Sequence, residues 1–200
     1  TINGAGAGTT IIEGKDPERV FHVCPNCHIF TINVVFNNIS IRNGSTLSYK
    51  GGGIYNNKAR LTLNDSIVSD NEAKRGGGIY NVDYGTLVIK NGAVNDNTAT
   101  IGGGGIANYG GVTLDSSTVN GNVVSDGSAG GVYNNGTLVV KNDSTISSNE
   151  AIDSGTMFAG IGGGILNNDE VTLTSSAVIG NTADYYGGGI HNDGDMTVET

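Results

Sequence analysis

Residues 51–56 read GGGIYN, and close variants recur as GGGIYN at 76–81, GGGIAN at 103–108, GGVYN at 130–134, GGGILN at 162–167 and GGGIHN at 187–192. A unit of roughly 25 residues is too short to bury its own apolar face, so each must stack on its neighbours as one coil of a solenoid. Working outward from this stretch, each unit offers three short alternations. The first is Gly-apolar-x-Asn, which turns Ile54, Ile79, Ile106, Val132, Ile165 and Ile190 inward. The second is apolar-x-apolar: Leu61/Leu63, Leu87/Ile89, Val112/Leu114, Leu138/Val140, Val171/Leu173 and Met196/Val198. The third carries Val68, Val94, Val119, Ile146 and Val178, each three residues before an asparagine and five before a small residue.

Three strands in a coil of this length predict an all-β chain built as a right-handed single-stranded parallel β-helix of seven to eight coils, since the left-handed hexapeptide solenoid needs a shorter, stricter period. The pattern predicts one domain over 1–200, with irregular early coils over 1–50 and regular repeats over 51–200. In the early coils Phe21 and Val23 face in, which turns His22 and Cys24 out, and Phe30, Ile32, Phe36, Ile39 and Ile41 form the next inward set. Spacing between asparagines lengthens once, from Asn134 to Asn167, and the excess predicts a loop over 152–161 that offers Met157 and Phe158 as contact residues.

The register aligns two columns of asparagine: Asn56, Asn81, Asn108, Asn134, Asn167, Asn192, and Asn71, Asn97, Asn122, Asn149, Asn181. At bends the backbone cannot pair all its N–H and C=O groups, and a stacked amide supplies a donor and an acceptor coil after coil, so these residues are structural ladders. The glycine clusters serve the same bends. No helix and no Lys-Ser/Thr pair follows them, so they are not phosphate-cradling loops.

Composition narrows the partners. The 200 residues carry a net charge of −9, and their ten Lys and Arg are scattered singly along the chain. That offers no basic stripe for phosphates, which argues against nucleic acid and against anionic membranes. No apolar run approaches the roughly 20 residues of a membrane span. Residues 1–8 lack the basic and apolar regions of a signal peptide, so the chain reads as a piece of a longer exported protein.

The units GGGIYN, apolar-Thr-apolar and Ser-x-Val/Ile-x-x-Asn-x-Ala resemble the β-helix repeats of bacterial and archaeal surface proteins, including the polymorphic outer-membrane protein repeats. The opening TINGAGAGTTIIEG over 1–14, followed by Arg19-Val20-Phe21, is similar to the first coils of such exported proteins. The resemblance implies the fold and an extracellular or cell-surface setting. It leaves function open, since the family spans adhesins, autotransporter passengers and surface-layer components.

The segment CPNCH at 24–28 departs from those repeats. Cys24 and Cys27 can close the bend as a disulfide, which suits an exported protein. Cys24, Cys27 and His28 also match a c-type haem attachment motif, although nothing apolar is evident there to enclose a porphyrin. Zinc on His22, Cys24, Cys27 and His28 has the right ligand types crowded into seven positions. The disulfide is the expected state, haem c on Cys24, Cys27 and His28 the alternative; no metal, no cofactor and no catalytic residue is otherwise expected. Polysaccharide lyases on this fold need clustered carboxylates and a basic residue, whereas here the acids are dispersed and Asp193 and Asp195 flank a turn glycine. On the outer side of the first strand Tyr55, Tyr80, Tyr133 and His191 align, with Ala107 and Leu166 between them, as a candidate contact ridge. Lys90, Asp115 and Lys141 form a charge ladder beside the second strand.

These readings lead to a structural or adhesive scaffold at the cell surface, touching a surface, a glycan or like subunits end to end. A carbohydrate-active enzyme is the alternative, and a haem-bearing electron carrier the third.

Overall fold

A computed structural model describes residues 1–24, 32–155 and 159–200. Every element in it is a β-strand. The strands form four parallel sheets of eight, six, seven and seven strands, each strand pairing with its equivalents one coil before and one coil after. The chain is a β-solenoid of about seven turns.

The coil that follows GGG shows how the sequence produces this. Its first strand is Ile54–Asn56, its second Arg60–Asn64 and its third Ile67–Ser69. These are the three expected strands, and a fourth, Glu72–Arg75, follows them. Registers confirm the repeat residue by residue: Ile54 pairs with Ile79 and Ile79 with Ile106, and Leu61 and Leu63 pair with Leu87 and Ile89. Side chains at Ile54, Leu61, Leu63, Ile79, Leu87, Ile89, Ile106 and Leu114 are fully buried in one continuous core. The small residue expected five positions after the third-strand valine lies on the fourth sheet, where Ala99, Val124 and Ala151 form a separate small cluster.

Three of the four corners turn on one residue in the left-handed region. Between second and third strands it is Asp65, Asn91, Ser116 or Ser175, with the pair Asn142 and Asp143 in one coil, and between third and fourth it is Asp70, Asp96, Gly121, Ser148 or Gly180. Asp, Asn, Ser and Gly are the residues that take this conformation at least cost, the first three because a short polar side chain bonds locally. The acids at these corners, Asp65, Asp70, Asp96 and Asp143, are therefore spread over three coils. Before the first strand the turn residue is Gly51, Gly76, Gly103, Gly162 or Gly187, with Ala129 at φ 67° in the equivalent place.

Both asparagine columns lie inside the stack. In the first, Nδ2 of each residue donates to Oδ1 of the next at 2.7–2.9 Å, from Asn56 through Asn81, Asn108, Asn134 and Asn167 to Asn192. The second runs from Asn71 through Asn97, Asn122 and Asn149 to Asn181 at 2.9 Å per step, and each Oδ1 also accepts the backbone N–H of the preceding asparagine. The first column starts at Asn56 because its partner one coil earlier is Val23, which has no amide; Asn56 Oδ1 is buried and unbonded among the described residues.

Two expectations in the early coils need correction. Ile32 is exposed and does not join Phe36, Ile39 and Ile41 in the core. Cys24 does not continue the strand alternation outward: it leaves the strand Phe21–Val23 with φ 60° and packs against the core. Phe30, Cys27 and His28 lie outside the described residues, as do Met157 and Phe158.

Candidate functional site

The corner between the fourth and first strands is concave, and the residue before each glycine cluster faces those after it. Lys50 Nζ lies 4.6 Å from the ring centroid of Tyr80, and Arg75 Cζ lies 6.0 Å from that of Tyr133. Arg75 Nη1 donates to the Tyr109 hydroxyl at 3.4 Å, and Arg19 Cζ sits 4.9 Å from the Tyr55 ring. Placing a cation against the negative face of an aromatic ring is favourable, more so where water is partly excluded.

Behind these cations runs a file of rings. His22 meets Tyr55 edge-on at 5.0 Å, Tyr55 stacks on Tyr80 at 5.4 Å and 6°, and Tyr80 leads to Tyr109 at 5.3 Å and Tyr133 at 5.8 Å. Tyr55, Tyr80 and Tyr133, read from the sequence as a candidate contact ridge, are thus members of one stack, Tyr133 through Tyr109. Tyr109 fills the gap left by Ala107. His191 stands apart, against Tyr186 and within 3.2 Å of Asp193, because buried Leu166 occupies the intervening coil. The stack is also less open than a ridge: Tyr80 is 5% exposed, and the parallel Tyr55 and Tyr80 rings cover one another's faces.

The accessible surface lies in front of the stack, in a groove of about 600 Å³ lined by Arg19, Lys50, Lys74, Arg75, His22, Tyr49 and Tyr55, with Ser48, Asn57 and Ile101. No carboxylate lines it among the described residues; Glu18 and Asp83 sit in adjoining hollows. The ten Lys and Arg are scattered in sequence, but four of them meet here. Those four make no ion pair among the described residues, where the pairs are Arg42–Glu13, Lys141–Asp115 and His191–Asp193.

Local backbone explains the opening. The fourth-face strand Ser45–Lys50 pairs with Glu72–Arg75 so that Thr46 faces Ala73 while Lys50 faces Arg75, a bulge that gives the earlier strand two extra residues. Bulges re-aim side chains. This one lifts Leu47 and Tyr49 out of the wall, and Tyr49 is 67% exposed at the groove.

Burial lowers the pKa of Arg19, and burial together with neighbouring Arg19 lowers that of His22 below its ordinary 6.5, so the imidazole is mostly neutral at pH 7. Burial raises the phenol pKa of Tyr80, Tyr109 and Tyr133. The groove therefore offers fixed positive charge, hydroxyl donors and one free ring. Among the described residues it contains no acid–base pair.

Elsewhere the expected charge ladder appears as an ion pair between Lys141 Nζ and Asp115 Oδ2 at 3.7 Å. The inserted loop leaves the stack after Ile152, whose N–H donates to Val124, and rejoins it by Gly160, whose N–H donates to Gly127. Among the described residues no group of three or more His, Cys, Asp or Glu is placed to hold a metal ion, and no helix is long and apolar enough to cross a membrane. Comparison with protein-family models, with curated proteins and with solved structures finds no match to this chain.

Proposed function

We propose that this chain is a structural and adhesive solenoid of the cell surface or extracellular space, and that its contact surface is the groove beside the tyrosine stack. A glycan is the partner the groove suits best. The observation that carries this reading is the exposed Tyr49 ring beside hydroxyl and amide donors on strands whose positions are set by the stack. Sugar rings lie on aromatic faces through their C–H edges while their hydroxyls bond to polar side chains, and a preformed site loses little entropy on binding.

The test is a glycan array probed with the purified chain and with Tyr49→Ala. Binding by the wild type that falls at least tenfold in the variant, with melting temperature unchanged, supports the reading. Retention of no glycan at all, or equal binding by both proteins, refutes it.

A further inference from the structure

We infer that the groove selects acidic glycans, namely oligosaccharides carrying carboxylate or sulfate on successive sugar units. This rests on the glycan reading above and names the chemistry of its ligand. The chain carries 19 acids against ten Lys and Arg, so an average surface patch is negative. Against that background Arg19, Lys50, Lys74 and Arg75 line one groove, and among the described residues no carboxylate lines it and none of the four makes an ion pair. A cation held near others without a counter-ion is unfavourable for the free protein, and a bound anion relieves it.

Geometry sharpens the class. Lys50 and Arg75 are directly paired on neighbouring coils. Paired strands lie about 4.8 Å apart, close to the length of one pyranose unit, so a chain running along the solenoid axis presents one acid group to each. Arg19 lies beside Tyr55 in the preceding coil, and Lys74 is an exposed member of the lining. Tyr49 supplies an exposed ring in the same groove. A single-stranded nucleic acid fits less well: it needs successive free ring faces for its bases, whereas the Tyr55 and Tyr80 faces are turned on each other.

The experiment is calorimetric titration of the whole chain with four probes: oligogalacturonate, its methyl-esterified neutral form, a sulfated galactan oligosaccharide and oligo-dT. Wild type, Lys74→Glu and Tyr49→Ala are compared. The expected result is binding of one or both acidic oligosaccharides, at least tenfold weaker for the neutral ester. Affinity should drop about tenfold between low and high salt, as screening of exposed charges requires. Lys74→Glu should lose about tenfold on acidic probes, while Tyr49→Ala weakens every sugar. Carboxylated against sulfated probes identifies the acid group. Equal binding of ester and acid overturns this inference and leaves the glycan reading standing. Tighter binding of oligo-dT than of any sugar, or no binding of any probe, overturns both.

Discussion

The most demanding prediction concerns Asn97, in the second amide column. Its side chain donates from Nδ2 to Val68 O, Asn95 O and Asn122 Oδ1, and its Oδ1 accepts both the backbone N–H and the Nδ2 of Asn71. In Asn97→Ala, Asn71 Nδ2 retains Ile41 O and Ser69 O, and Asn122 Oδ1 retains the backbone N–H of residue 97. The Asn71 backbone N–H retains nothing. One orphaned buried donor costs about 1–3 kcal/mol and each further net hydrogen bond about 1, so we expect a loss of roughly 3–4 kcal/mol. Asn97→Asp should be worse at pH 7, because a buried carboxylate would face Asn122 Oδ1 where an N–H stood at 2.9 Å. Burial raises that carboxyl's folded pKa above the unfolded value of about 3.9. Its destabilisation is then absent below the unfolded pKa and grows as pH rises toward the folded one. Urea midpoints at constant slope measure the loss, with Asn135→Ala at an exposed position as the control. Hydrogen exchange at the Asn71 amide localises it. If Asn97→Asp is as stable as wild type at pH 7, or Asn71 exchange is unchanged in Asn97→Ala, the ladder does not carry the load assigned to it.

Other outcomes follow from the same contacts. Ala129 holds the left-handed turn that glycine holds in other coils, so Ala129→Gly should gain up to about 1 kcal/mol. Gly103→Ala should lose more than that, since its Cβ would press on the Ile106 carbonyl, and thermal melting of the two variants checks both signs. The raised phenols of Tyr80, Tyr109 and Tyr133 stabilise fully below about pH 10 and lose that stability as pH climbs through their folded values; an alkaline melting series should show the decline, flattened in Tyr80→Phe/Tyr109→Phe. His22 behaves oppositely: its pKa is depressed, so stability should fall as pH drops from about 6.5 through the folded value. A sulfated oligosaccharide should bind more tightly over the same interval, and His22→Gln should abolish both effects.

What was legible in the sequence tracks what is periodic. Ile54 and its equivalents, the Leu61/Leu63 pairs and both asparagine columns stand at nearly constant spacing, and physics demands an apolar or an amide side chain there in every coil. The fourth sheet was less visible because its strands are as short as two residues and their inward member is a mere alanine. Tyr109 escaped notice because it follows Asn108 at a corner and reaches back to the place that Ala107 leaves empty. The four cations of the groove lie between positions 19 and 75 of the chain and share no motif. Only the coil repeat brings them together, and only the bulge at 47–49 aims Tyr49 over them. One trace of that bulge was present: Gly44 stands seven residues before Gly51, where Asn71 stands five before Gly76.

That trace points to where this fold accepts change. From third-strand valine to ladder asparagine the distance is three residues in every regular coil, as in Val68 to Asn71 and Val178 to Asn181. From ladder asparagine to the next glycine corner it is five at Asn71, six at Asn97 and Asn181, seven from Asn122 to Ala129, and thirteen from Asn149 to Gly162. The difference has a physical cause. An insertion between Val94 and Asn97 would shift the asparagine out of its column, stranding the Asn71 N–H. An insertion after Ala99 displaces only residues that follow the small alanine cluster, and the left-handed glycine restores the register before Ile106. Two glycines inserted after Ala99 should therefore cost about 1 kcal/mol or less, as loop lengthening does. The same pair inserted after Val94 should cost several kcal/mol or prevent folding. Circular dichroism and urea unfolding of the two insertions decide it, and equal stability would refute the idea that the asparagine columns confine variation to the face that forms the groove.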